Sequence, residues 1–133
     1  MSLGLRRQVT ERANAHCEYC PQAIVVEMEI DHVIPEAVGG LTVADNLYLA
    51  WVGCNGYKLA FVNGMDPETN EQASLYNPQT DQWDEHFSWS EDRTHFVSRT
   101  AIGGATIAHL RMNRRRMIEA RVLWVEVGWH PAQ

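Results

Sequence analysis

The sequence predicts an α+β fold for this chain of 133 residues. Two observations predict it: a strand–loop–strand–helix order before residue 63, and helical periodicity near both ends of the chain. A chain of this length has room for one domain, or for a small domain with an ordered extension. Because 45% of the residues are apolar, the chain can bury a core, which excludes a disordered protein.

The first half of the chain predicts four elements in order. Apolar residues at helical spacing predict one amphipathic helix over residues 5–15. A run of β-branched residues favours extended structure over residues 23–35. After a loop with two adjacent glycines, strict alternation predicts a second strand over residues 46–51, and a short helix is expected over residues 53–62.

The second half predicts a hairpin followed by two helices. A strand over residues 95–100 is expected to pair with the aromatic stretch at residues 87–89. Helices over residues 102–112 and 114–127 follow, the second with Asn113 as its N-cap. The spacing of apolar residues in the last helix predicts an inward-facing stripe of Ile118, Val122 and Val125.

Charge is unevenly distributed along the sequence. The formal charge of −6 does not favour a protein that coats nucleic acid non-specifically. Residues 63–92 contain no basic residue, whereas seven of the 11 basic residues follow residue 92. The arginines near the last helix either contact phosphate or form a solvated helix face beside the acidic segment. Those that point away from the apolar stripe, or lie at its edges, are the candidate nucleic-acid contacts: Arg115, Arg116 and Arg121.

The sequence contains no run of about 18 apolar residues that would span a membrane, and no basic start followed by a hydrophobic export signal. We therefore expect a cytoplasmic protein with no membrane partner. In that setting the three cysteines are thiols or metal ligands rather than disulfides.

The chemically informative residues lie in one window, from Cys17 to Lys58. Its motifs are, in order, Cys-x-x-Cys, Asp-His-x-x-Pro, Gly-Gly, Asn-Leu and Cys-Asn-x-x-Lys. Each motif is weak by itself, but in this order and spacing they resemble the HNH endonuclease family. The resemblance covers about residues 5–62 and implies a ββα-metal core with an N-terminal helix and a cysteine knuckle.

The rest of the chain is similar to the C-terminal extension of a bacterial HNH subgroup. The similarity rests on aromatic, histidine, arginine and glycine positions that include Tyr76, Trp83, His86, Trp89, Gly103, Asn113, Arg114, Arg121, Trp124 and His130. It implies a nuclease core over residues 5–62 and an extension over residues 63–133, packed on the core as one compact unit.

The window contains the residue types that phosphodiester hydrolysis requires: metal ligands, a base and a scaffold. His32 follows a carboxylate directly, and imidazole accepts a proton near neutral pH, so His32 is the candidate general base. Asp31 and Asn55 offer hard oxygen ligands for Mg²⁺ or Mn²⁺, and the resemblance implies the same two residues as metal ligands. Neighbours on a regular strand point to opposite faces, so the strand must end or become irregular at Asp31 and His32.

Two further residues complete the predicted catalytic set. Lys58 lies three residues after Asn55 and shares its helix face, so Lys58 either holds phosphate charge or is an ordinary surface lysine. Asn46 resembles the middle Asn of the HNH motif, whose implied role is to pin the glycine loop and orient the base. A turn residue that caps the strand would have the same position, and one side chain can serve both roles.

The cysteine knuckle departs from the family pattern. The resemblance implies a second Cys-x-x-Cys pair, but its first member is here Trp51 and only Cys54 remains. Cys17, Cys20 and Cys54 therefore offer three ligands where structural zinc takes four. Either zinc binds with a further ligand, or the site holds no metal and Trp51 fills the space as an apolar plug.

These residues predict a metal-dependent endonuclease that hydrolyses DNA phosphodiester bonds with His-activated water and one divalent ion. The alternative is a catalytically impaired module of HNH fold that binds nucleic acid or another protein. The incomplete cysteine set and the net acidity motivate the alternative, whereas the intact Asp31, His32 and Asn55 favour the enzyme.

Overall fold

The computed structural model describes residues 1–21 and 27–131, and within them five helices and six short strands. The elements in chain order are α1 (Leu3–Arg12), β1 (Met28–His32), β2 (Leu47–Trp51), α2 (Val52–Lys58), β3 (Asn63–Asp66), β4 (Glu71–Ser74), α3 (Trp83–His86), β5 (Phe87–Trp89), β6 (Phe96–Ser98), α4 (Ala101–His109) and α5 (Arg115–Glu126). Helices thus alternate with three small antiparallel sheets, which confirms the predicted α+β class.

Strands β1 and β2 form an antiparallel pair followed directly by α2, the predicted strand–loop–strand–helix order. Ile30 lies opposite Leu49 in the register. Helix α1 buries Val9 against Leu49 and its neighbour Leu47, which fixes the helix on the sheet. Residues 23–26 of the predicted extended segment lie outside the described residues.

Helix α2 ends at Lys58, four residues earlier than predicted, because Leu59 adopts a left-handed backbone conformation with φ of 53°. The hairpin of β3 and β4 follows. It was not predicted, since its strands are rich in residues with low strand propensity, such as Asn63 and Gly64. Strands β5 and β6 pair as predicted.

The main buried cluster takes residues from both halves of the chain. Tyr19 and Tyr48 meet edge-on with ring centroids 5.0 Å apart, and Tyr19 meets Tyr76 in the same way at 6.1 Å. Phe87 and Phe96 continue this aromatic network across the β5–β6 hairpin, at 5.7 Å. The sequence segments 5–62 and 63–133 therefore contribute to one shared core.

Two predictions about the last helix are wrong. Asn113 is not its N-cap, because the Asn113 side chain forms two hydrogen bonds with the backbone of Phe96, at 2.7 and 2.8 Å. The buried face of α5 also differs from the predicted stripe. Met117 and Arg121 are buried, whereas Val122 is 42% exposed.

Candidate active site and cysteine cluster

Asp31 and His32 converge at the end of β1. They are the last two residues of the strand and pair with Tyr48 and Leu47 of β2. The Asp31 carboxylate accepts a 2.8 Å hydrogen bond from the His32 backbone N–H, and its Oδ1 atom lies 3.5 Å from His32 Nδ1. Both residues line a cavity of about 220 Å³ that is also bordered by Leu59 and Ala60, just beyond α2.

The other ring nitrogen of His32 faces the loop between the strands. His32 Nε2 lies 2.9 Å from Thr42 Oγ1 and 3.6 Å from Glu36 Oε1. The imidazole is 14% exposed, whereas the side chains of Asp31 and Glu36 are 48% and 69% exposed. Contacts on both ring nitrogens fix the orientation of the ring at the cavity wall.

Asn46 holds the loop that carries these contacts. Its amide accepts a 2.9 Å hydrogen bond from Ile34 N–H and donates to the Ile34 and Leu41 carbonyls at 3.0 and 2.9 Å. Two glycines allow the tight path of the loop. Gly39 has φ of 96°, and a Cβ atom on Gly40 would lie 1.8 Å from the Ile34 carbonyl oxygen.

Asn55 projects from α2 towards the carboxylates of β1. Its Nδ2 atom donates to Glu29 Oε1 at 2.5 Å and to Asp31 Oδ2 at 3.3 Å, while its Oδ1 atom accepts from the Tyr48 hydroxyl. Glu29 was missed from the sequence. The signal that could have found it was strand alternation, because residues two apart on β1 share a face.

The donor set around Asn55 fits a hard divalent cation. Two carboxylates, Glu29 and Asp31, converge on the Asn55 amide, and Mg²⁺ and Mn²⁺ prefer oxygen ligands of these kinds. The amide now presents its nitrogen to the carboxylates. If the Asn55 amide rotated so that its oxygen and nitrogen exchanged places, its oxygen would face the same point as the two carboxylates. Only a cation would stabilise three oxygen atoms in that arrangement.

Lys58 does not lie where the sequence predicts. Its side chain is 1% exposed, and Nζ lies 3.3 Å from the Val33 carbonyl and 5.4 Å from the Tyr48 ring centroid. Burial lowers the pKa of Lys58, and the negative charge of Asp31 opposes that change. In this conformation Lys58 is buried against the end of β1, which corrects the expectation of a solvent-facing cation.

The three cysteines form one buried cluster, with all three sulfur atoms within 4.8 Å of one another. Burial opposes ionisation of Cys17, but hydrogen bonds from Cys20, Cys54 and the Trp51 backbone outweigh it and lower the Cys17 pKa. The same thiol contacts raise the pKa of Cys54. The sulfur atoms of the cluster supply three of the four ligands that structural zinc requires.

The structure separates the three candidate nucleic-acid-binding arginines. Arg116 is exposed, and Arg115 is exposed with its Nε atom 2.9 Å from Glu119 Oε1. Arg121 is 1% exposed and donates to the Thr94 and Met112 carbonyls at 2.9 and 2.6 Å. Burial lowers the Arg121 pKa to about 10. Its predicted position at the surface is wrong, because its guanidinium pairs with backbone carbonyls inside the core.

An antiparallel strand pair, a following helix, and Asp, His and Asn side chains that meet between them define a ββα nuclease-type domain. Residues 17–60 match the family model described as HNH endonuclease. Comparisons with curated proteins and with solved structures gave no match. Among the described residues, no helix has the length and apolar character needed to cross a lipid bilayer.

Proposed function

We propose that this protein is a metal-dependent endonuclease that hydrolyses DNA phosphodiester bonds. The observation that carries the proposal is that Asp31 and His32 line one cavity while Asn55 contacts Asp31, within the segment that matches the HNH endonuclease model. A divalent cation held by Asp31 and Asn55 would neutralise charge on the scissile phosphate and on the leaving oxygen.

His32 is the proposed general base. When Nε2–H donates to Thr42, the lone pair of Nδ1 is directed towards Asp31, where it can take a proton from an attacking water. Asn46 is a positioning residue, because its three hydrogen bonds hold the loop that presents Thr42. These residues all lie within the proposed nuclease core, residues 5–62.

The extension over residues 63–133 is the proposed source of DNA affinity. If the arginines instead formed a solvated helix face paired with the acidic segment, residues 63–92 would lie against them. Within the described residues, the only ion pair of the α5 arginines is the one between Arg115 and Glu119. This supports a phosphate-binding role for the exposed arginines Arg115 and Arg116.

A cytoplasmic location suits the cysteine cluster, because thiols stay reduced there.

The proposal is tested by plasmid nicking with Mg²⁺ or Mn²⁺. We expect His32→Ala to reduce the rate by about 10²–10⁴-fold, the usual contribution of a positioned base, while the melting temperature and DNA affinity stay unchanged. His95→Ala removes an exposed histidine outside the site and is the matched control. Equal nicking by His32→Ala and the native protein would exclude His32 from the reaction. Failure of the native protein to nick under any divalent ion, with DNA binding retained, would favour the catalytically impaired module.

A further inference from the structure

A second cavity lies on the other side of α2 from the candidate active site. This cavity, the α2–α5 groove, has a volume of about 450 Å³ and is lined by residues that include Trp51, Tyr57, Arg114, Arg116, Ala120 and Trp124. Helix α2 thus directs Asn55 towards β1 and Tyr57 into the groove. The position that the family resemblance assigns to a cysteine ligand, Trp51, is a wall of this groove.

The rim of the groove carries fixed positive charge. The Arg114 guanidinium lies 4.8 Å from the Tyr57 ring centroid and 5.5 Å from that of Trp51, and Arg111 lies 5.1 Å from Tyr57. Arg114 also donates to the Arg111 carbonyl at 3.0 Å. Neither arginine forms an ion pair with an acidic side chain of the described residues. In a chain of net charge −6, this is a local positive site held in place by aromatic rings.

The inner part of the groove is apolar and aromatic. Trp124 is half-buried and meets Trp51 edge-on, with ring centroids 6.4 Å apart and an interplanar angle of 75°. Ala120 lies one helical turn before Trp124 and adds no bulk between the ring and solvent. An aromatic surface beside guanidinium groups that lack an acidic partner in the described residues matches the two parts of a nucleotide, a flat base and an anionic phosphate.

We propose that the α2–α5 groove binds one unpaired nucleotide of the substrate strand, with its base on Trp124 and its phosphate at Arg114 and Arg116. This inference rests on the proposed function, which makes a nucleic acid the substrate. A helix with its side chains is about 10–12 Å across, so the groove lies on the order of three base steps of about 3.4 Å from the cleavage site. An apolar peptide would use the aromatic floor but would leave the guanidinium rim without a partner.

The test measures binding without cleavage, so that its failure is distinct from a failure of the proposed catalysis. The full chain carrying His32→Ala is titrated in EDTA with two fluorescent probes of about 12 nucleotides, one an oligothymidylate and the other its abasic counterpart. We expect Trp124→Leu to weaken binding of the oligothymidylate about fivefold to a hundredfold and to leave binding of the abasic strand unchanged. Replacing both Arg114 and Arg116 by Gln should weaken both probes, because both retain phosphates.

A second pair of variants keeps the test independent of the packing of Trp124. Ala120→Glu places a carboxylate in the groove and should weaken binding of both probes, whereas Val122→Glu adds the same charge on the exposed face of α5 and should change neither. Equal weakening of both probes in Trp124→Leu, or unchanged affinity in Ala120→Glu, would overturn the proposal. Loss of self-association in Trp124→Leu with unchanged probe binding would assign the groove to a second copy of the chain and would also overturn it.

Discussion

At the level of single residues, the arrangement of Glu29, Asp31 and Asn55 is the most informative feature of the site. Two carboxylates on one face of β1 share a single amide from α2, and the Tyr48 hydroxyl occupies the remaining atom of that amide. Carboxylates this close repel each other unless a donor or a cation lies between them. The amide nitrogen fills that role in the structure, and a divalent cation would fill it in the proposed endonuclease.

This arrangement makes Glu29 a predicted determinant of cation affinity. We expect Glu29→Gln to raise the Mg²⁺ concentration needed for half-maximal nicking by about 10–100-fold, the usual effect of removing a partner next to a metal ligand. Calorimetric titration with Mn²⁺ measures the same change without relying on activity.

Glu27→Gln is the matched control, because Glu27 is an exposed glutamate two residues earlier that makes no side-chain hydrogen bond with Asn55. Unchanged cation dependence in Glu29→Gln would restrict the predicted metal ligands to Asp31 and Asn55.

At the level of elements, the cysteine cluster connects the segment after α1 to the start of α2. Cys17 and Cys20 come from the turn before β1, and Cys54 comes from the first turn of α2. Trp51 contributes its backbone to Cys17, while its ring faces Trp124 in the α2–α5 groove. Trp51 stands where the family resemblance implies a fourth cysteine ligand. It therefore forms a wall of the groove and supplies no thiolate.

Restoring the missing thiol tests whether the cluster is a zinc site. We expect the native protein to contain less than one zinc per chain, and Trp51→Cys to raise both zinc content and melting temperature, because a fourth thiolate completes tetrahedral coordination. Trp51→Ser removes the same ring without supplying a ligand and separates the two effects. Full zinc occupancy in the native protein by elemental analysis would contradict this prediction and require an unrecognised fourth ligand.

Periodicity predicted α1, which buries Val9, and it also predicted β2, although residues on both faces of that strand are buried. Prediction from the sequence failed for elements whose structure depends on tertiary packing. The left-handed Leu59 ends α2 early, and the β3–β4 hairpin depends on packing against α4 rather than on strand propensity. The contact between Asp31 and His32 near the end of the strand was predicted, and strand alternation could also have placed Glu29 on the face of Asp31, but the contact of Glu29 with Asn55 required the position of α2.

Across the whole molecule, the cationic residues that the sequence offers as phosphate contacts are divided between the interior and the surface. Lys58 and Arg121 are buried and pair with backbone carbonyls, although the sequence predicts Arg121 as a phosphate contact and Lys58 as either a phosphate contact or a surface lysine. Helical spacing assigns a residue to a face but does not reveal that a long cationic side chain can satisfy carbonyls inside a core. The exposed arginines Arg115 and Arg116, with the half-buried Arg114 before them, remain at the start of α5 as a surface that can meet DNA.

This division predicts opposite effects for arginines on the same helix. Replacing Arg115 and Arg116 by Gln should leave the melting temperature nearly unchanged, because the exposed Arg115–Glu119 pair contributes little to stability. It should weaken binding to every DNA duplex and reduce the slope of log affinity against log salt by about 0.9 for each phosphate that is no longer neutralised.

Arg121→Gln should instead lower the melting temperature, because each buried carbonyl left without a donor costs about 1–3 kcal/mol, and should leave the salt slope unchanged. Titrations of a labelled duplex at several salt concentrations, with thermal unfolding of the same samples, measure both quantities. An unchanged salt slope in the Arg115 and Arg116 double variant would assign those arginines to a solvated helix face.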